Sequence, residues 1–252
     1  YGVDTLYQYM HDGLPNIACE WPTTSYLNFT ALTATAYSIF APSNTAINHF
    51  FDSFWKVGGY SSMQEVDELA LTYFLYQFIY GGSMLFPDEL GNDELKNVSG
   101  STLKINPAML NERIMCVNGA FYGMNEIQDP SAFASVIGPV FQYKSARSLL
   151  YALVGSSLFS SYVSDLAKYI VLVPTAEQFE ASGIRTVYST QGLEAQGDDG
   201  WSEISSSAKQ SIVYLHSASI PSNQSSELPE SGTRVVLTES PWNYWFVKDG
   251  TI

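Results

Sequence analysis

The 252-residue chain carries 25 Asp and Glu against 11 Lys and Arg, a formal net charge of −14. That acidity repels a phosphate backbone and an anionic bilayer surface, and no Lys/Arg cluster offsets it, so nucleic acid is excluded as a partner. The hydrophobic share is 46%, enough for one large domain or two ordinary ones.

Charged residues make up only 14% of the chain, against about 25% in an average domain. The surface must therefore be covered by Ser, Thr, Asn, Gln and Tyr, a composition common in exported proteins. The opening "YGVDTLYQYM" has neither the basic nor the apolar region of a signal peptide. It reads as a mature or trimmed chain. The longest uncharged stretch runs from Trp21 past Phe40 but holds Pro22, Asn28 and many threonines. It lacks the roughly 20 consecutive apolar residues of a membrane span.

The first strong element is "YSIFAPSN", residues 37–44. An apolar strand is stopped by Pro42, and Ser43 is a capping residue for the helix that follows. The spacing of Ala46, Ile47, Phe50, Phe51 and Phe54 predicts the buried stripe of that helix. Ser62-Met63-Gln64-Glu65 reads as a capping box for a second helix, with Val66, Leu69, Ala70, Tyr73 and Phe74 as its inner face. "FLYQFIYGG" reads as a short apolar strand ended by Gly81-Gly82. "CVNGAFYGMNEIQDP" reads as a strand, an Asn118-Gly119 turn and a return strand. Cys116 lies in the first of these as an ordinary buried thiol. With Cys19 it allows one bridge, which the spacing does not demand.

The pattern then repeats. "YIVLVPTA" places Pro174, expected to end a buried strand as Pro42 does, 132 residues after Pro42, and "PESGTRVVL" places Gly232 132 residues after Gly100 of "NVSGSTLKI". Two landmarks at one offset predict two domains of one type in tandem, 1–130 and 131–252. In the second copy Thr175 and Gln178 form a capping box, and "SIVYLHSASIP" takes the place of "FLYQFIYGG". "YSTQGLEAQGDDGWSEISSS" is an excursion confined to that copy. "FASVIGPVFQYKSARSLLYALVGSSLF" supplies its opening helices. The turn signal Asp249-Gly250 stands close to Ile252, so the closing strands of the second copy are expected to be missing.

These residues resemble the fasciclin I family of adhesion domains. The resemblance rests on Phe40, Pro42, Ser43 and Asn44 in "FAPSN", on Asn118 and Gly119 in "VNGAFYGMNEIQDP", and partly on a central Tyr-His strand. It covers most of both halves. It implies an α+β fold of two tandem domains, each a β-sandwich or wedge flanked by short helices. The departures are specific: Tyr76-Gln77 and Leu215-His216 replace Tyr-His, and Pro174-Thr175 sits in "VPTA" instead of "APTN". The integrin-binding role tied to that pair in eukaryotic members is therefore not carried over. Gln and neutral His each donate and accept a hydrogen bond, so Gln77 and His216 are expected to be buried and bonded to backbone. Phe40, Phe50 and Leu172 are expected to be nearly fully buried.

Residues with catalytic chemistry form no convincing set. His11, His49 and His216 are scattered without metal-ligand spacing. Ser53-x-x-Lys56 and Ser206-x-x-Lys209 match a nucleophile pattern without its partner motifs. Asp198-Asp199 reads as a solvated turn, neither a glycosidase pair nor a calcium loop. Sequons occur at Asn28, Asn97 and Asn223. The expected function is extracellular or cell-surface adhesion toward a protein or glycan, without catalysis, metal or cofactor. A lipid anchor on a segment outside this sequence suits that reading. The alternative is a carbohydrate-binding surface protein stacking sugars on Trp201, Trp242, Tyr244 and Trp245. An acidic-residue hydrolase is the remote alternative.

Overall fold

Alternating Tyr37, Ile39 and Ala41 against Ser38 and Phe40 would suit a half-exposed strand, yet Ser38 and Phe40 are both fully buried. The reason lies in the pairing of strand β1 (Ala36–Pro42). It is flanked by antiparallel β2 (Ile79–Gly82) and by parallel β4 (Gly119–Met124), which in turn pairs antiparallel with β3 (Leu110–Cys116). This mixed sheet, in the order β2-β1-β4-β3, belongs to the first of two compact units, which divide between Phe133 and Ala134. The computed structural model describes residues 36–82, 84–90, 95–103, 105–116, 119–127, 130–163, 167–221, 231–249 and 251–252.

In the first unit, Pro42 is the last residue of β1. Ser43 then caps helix α1 (Asn44–Phe50), its Oγ accepting from Ala46 N at 3.2 Å. The helix passes into a π-helical turn, Phe51–Trp55, where Lys56 N donates to Phe51 O. The extra residue per turn rotates the stripe. Phe51 and Phe54 are half-buried, whereas Trp55, outside the predicted stripe, is fully buried against Phe50 and Phe74. The second helix starts later than the capping box predicts. Ser62 makes no side-chain cap, Met63–Glu65 forms a 3₁₀ turn, and the backbone extends at Val66. Asp67 caps helix α2 (Glu68–Tyr76) by accepting from Leu69 N at 3.0 Å. "FLYQFIYGG" is accordingly helix through Tyr76, with Gln77 as its C-cap, and strand only from Ile79. An apolar run of this length carries no period that separates the two.

The second unit opens with helices α3 (Gly138–Gln142), α4 (Arg147–Gly155) and α5 (Phe159–Tyr162). Every residue of α4 from Ser148 to Leu153 is buried. Strand β5 (Lys168–Val171) is followed by Thr175, which caps α6 (Ala176–Ala181) with both bonds of the capping box, Gln178 N to Thr175 Oγ1 at 3.3 Å and Thr175 N to Gln178 Oε1 at 2.8 Å. The excursion is ordered as a meander of β6 (Ile184–Val187), β7 (Gly192–Gly197) and β8 (Gly200–Glu203), with Asp198-Asp199 in the tight turn between the last two. Helix α7 (Ser206–Leu215) leads to β9 (Ser217–Ile220), antiparallel to β5. Strands β10 (Thr233–Leu237) and β11 (Tyr244–Lys248) form a separate antiparallel pair.

Ala218 and Ile220 of β9 share a core with Val236, Trp245 and Val247 of that pair, and Ile170 and Leu172 pack against it. Two expectations for β5 are corrected. The strand ends at Val171, with one more pairing bond from Leu172 N to His216 O, so Pro174 lies beyond it. Leu172 is half-buried, because β5 has a single strand partner among the described residues. The fold is mixed α+β, with several small sheets and short helices.

Candidate functional site

The residues that carry the sequence motif are held by the fold's own bonds. Phe40 stacks on Tyr122 with ring centroids 5.1 Å apart. Tyr122 Oη donates to Leu85 O at 2.7 Å, and Leu85 N donates to the buried Ser38 Oγ at 2.9 Å, which fixes that loop on the sheet. Pro42 is buried, and Ser43, Asn44, Tyr76, Pro174 and Thr175 are half-buried. Asn44 Oδ1 is buried and has no hydrogen-bond partner among the described residues. At Gly119, a Cβ would stand 1.9 Å from Tyr37 O, so the parallel approach of β1 and β4 requires glycine there. Asn118 lies outside the described residues, as do Cys19, His11, Asn28, Asn223 and Gly250.

Gln77 and His216 occupy matching places, each the C-cap of the helix that precedes the strand pairing with β1 or β5. Each side chain reaches back one turn to a helix carbonyl: Gln77 Nε2 donates to Tyr73 O at 3.0 Å, and His216 Nδ1 lies 2.7 Å from Ile212 O. Their surroundings differ. Gln77 is buried, and its Oε1 accepts from Asn97 Nδ2 and from Ala132 N, both at 3.3 Å. His216 is half-buried beside Phe179, less buried than expected, though bonded within its own unit as expected.

Asn97 is itself a hub. Its Oδ1 accepts from Ser99 N, Ser101 N and Ser99 Oγ, closing the turn that holds Gly100 at φ +82°. This sequon is buried in the fold and offers no exposed amide for a glycan. Cys116 also departs from expectation. It is a free, exposed thiol, because β3 is an edge strand whose Ile114 and Met115 are exposed as well.

Groups with titration chemistry do not converge. His49 is exposed at the end of α1. Lys56 pairs with Asp52, and Ser53 Oγ donates to Phe50 O. Ser206 Oγ donates to Gly155 O, and Lys209, buried along its stem, reaches Glu203 at 3.6 Å. Among the described residues no three His, Cys, Asp or Glu side chains are grouped to hold a metal ion. Tyr162 shares a 2.6 Å hydrogen bond with Ser217, and burial pushes its phenol up to about 12.

The feature that stands out is the β10–β11 hairpin. Its inner face presents Val236, Trp245 and Val247 to the core, and Trp245 Nε1 donates to Leu215 O at 3.1 Å. The cross-strand pairs Val235–Phe246 and Leu237–Tyr244 make up the outer face, and all four side chains are more than half exposed. A sheet with one solvated face ordinarily alternates apolar inside and polar outside, whereas this hairpin is apolar on both. At its tip Trp242 is 98% exposed. It stands at φ +67°, a conformation rare for a bulky side chain. The turn is tied by Thr238 N and Thr238 Oγ1 donating to Asn243 O, and by Asn243 Nδ2 donating to Ser240 Oγ and Pro241 O. Of the four aromatic residues singled out in the sequence, Tyr244 lies on this outer face and Trp242 projects from its tip. Trp245 faces the core. Trp201 lies on β8 with the Arg185 guanidinium 4.5 Å from its ring centroid. Neither Val235, Leu237 nor Phe246 was distinguishable from core in the sequence.

No protein-family model matches the chain, and no curated protein does. Among solved structures it is similar to a FAS1 domain pair from the insect cell adhesion molecule fasciclin I, with 12% identity and a TM-score of 0.31, over 98% of this chain and 83% of that one. This is a remote likeness. Among the described residues no helix is long and apolar enough to cross a membrane.

Proposed function

We propose that the chain is a non-catalytic binding protein that acts outside the cell or at its surface in adhesion or matrix attachment. In this reading it consists of two tandem fasciclin-like domains, 1–130 and 131–252, each a sandwich or wedge flanked by short helices. The motif positions Phe40, Pro42, Ser43, Asn44, Tyr76, Gln77, Asn118, Gly119, Pro174, Thr175 and His216 maintain the fold. The observation that carries the binding function is the outer face of β10–β11, with Trp242 presented at 98% exposure by a hydrogen-bonded turn. An apolar sheet face with an exposed aromatic at its tip is what a binding face needs.

The test is binding of the full chain to panels of extracellular proteins and glycans, with Trp242→Ala alongside. Loss of binding at an unchanged melting curve supports the reading. Unchanged binding removes this face from it, and turnover of a polysaccharide points to the hydrolase instead. Stacking of a sugar on Trp242 and Tyr244 is the second reading, favoured by their shared exposure, and the glycan arm decides it.

A further inference from the structure

The outer face of the β10–β11 hairpin consists of Thr233, Val235, Leu237, Tyr244, Phe246 and Lys248, with Trp242 at the tip. It carries no carboxylate, although the whole chain has a net charge of −14. Taking about 150–250 Å² for a whole aromatic side chain and about half that for Val or Leu, the exposed fractions of Tyr244, Phe246, Val235 and Leu237 give roughly 350 Å² of apolar face, and Trp242, projecting from the tip, brings the total to roughly 600 Å². That sits at the top of the range for monomer patches and close to the ~800 Å² that each partner contributes to a standard interface.

We propose that this face docks on the same face of a second copy of the chain, as a two-fold dimer. This rests on the face being the binding surface and names its partner. The argument is self-complementarity. A two-fold interface sets each patch against itself, so a residue at one end meets a residue at the other. Two five-residue strands span about 17 Å, and two hairpins packed face to face in opposite directions set the tip of each over the open end of the other. The tip carries Trp242, and the open end carries Lys248, the one charged side chain on the face. Each copy thus brings one cation to the other's indole, a pairing that contributes favourably once desolvated. Between these ends the Val235–Phe246 row of each copy meets the Leu237–Tyr244 row of the other, and both are removed from water. The remaining charge repels at longer range and is screened over about 8 Å at physiological ionic strength.

Sedimentation velocity of the full chain across about 1–100 μM tests this, a range suited to an interface at the small end of the stable class. The expected result is a monomer–dimer equilibrium that strengthens as sodium chloride is raised, because two acidic copies repel less. Trp242→Ala, at a fully exposed position, and Phe246→Lys should each weaken it at least ~10-fold, with circular dichroism unchanged. Lys248→Glu should weaken it too.

A monomer at every concentration overturns the dimer, as does a dimer indifferent to both Trp242→Ala and Phe246→Lys. A monomer whose tryptophan emission shifts blue on phosphatidylcholine vesicles overturns it in favour of a lipid surface. These failures are separate from that of the binding function. If the chain is monomeric but Trp242→Ala abolishes capture of a panel protein or glycan, only the self-docking is lost.

Discussion

The strand-to-helix junctions of the two units are built from the same local parts and end in different environments. In each, an apolar strand is followed by a capped helix, and a later helix returns through a C-cap polar residue into an antiparallel neighbour. Phe40 N donates to Phe78 O, and Leu172 N, 132 residues on, donates to His216 O. Yet Phe40 is fully buried and Leu172 only half-buried. The first unit adds β4 alongside β1, which brings Tyr122 onto Phe40, whereas β5 has only β9 among the described residues. A short motif therefore sets the junction, and a distant third strand sets how much that junction contributes to stability.

The largest predicted effect breaks this comparison if it fails. Phe40→Ala should destabilise by about 3–5 kcal/mol, the range for truncating a buried aromatic, and Leu172→Ala by about 1–2 kcal/mol. Chemical denaturation of both variants checks the gap, and equal losses would show that β4 makes no difference. Gly119→Ala should cost about 2–3 kcal/mol, because the new methyl group meets Tyr37 O and β4 must shift from β1. Its destabilisation should not add to that of Phe40→Ala, since both act on one strand pair.

The two C-caps differ in burial in the same way. Gln77→Ala strands the buried Asn97 amide and should cost about 1–3 kcal/mol, while His216→Ala loses one half-exposed bond and should cost about 1 kcal/mol or less. His216→Gln should be nearly neutral, since glutamine makes the same bond back to the helix in the first unit. Ser43→Ala and Thr175→Ala should each cost about 0.5–2 kcal/mol, read from thermal melts, with Thr175 at the lower end because its cap is exposed.

The effect confined to high pH belongs to Tyr162. Burial pushes its phenol up to about 12, above the ordinary tyrosine value of 10.0. The folded state therefore binds the extra proton, and its contribution is fully present below pH 10 and lost as pH rises toward 12. Relative to Tyr162→Phe, the native chain should lose melting temperature across that window and not below it. A parallel decline of the two would place the phenol in water.

The sequence alone settled what depends on neighbours a few residues apart. Pro42 lacks an amide donor, Ser43 and Thr175 have hydroxyls within reach of amides three residues on, and Gln178 lies where it can close a capping box; these bonds are local, so they are legible. The candidate site was legible only in part, since Trp242 and Tyr244 stood out by residue type, but whether an aromatic faces core or water was not written in its spacing. Tyr244 and Trp245 are adjacent and point to opposite sides of one strand, and only β9 behind the hairpin decides which side is inside. Helix α2 misled the reading because its run is apolar on nearly every position, and the buried Gln77 network selects where it stops. Asn97 has the sequence of a glycan acceptor and the environment of a core residue for the same reason: its partners Gln77 and Ser101 come together only through the fold. Local hydrogen bonds are determined by sequence distance, whereas burial is determined by which remote strand arrives, and that was decided by tertiary structure alone.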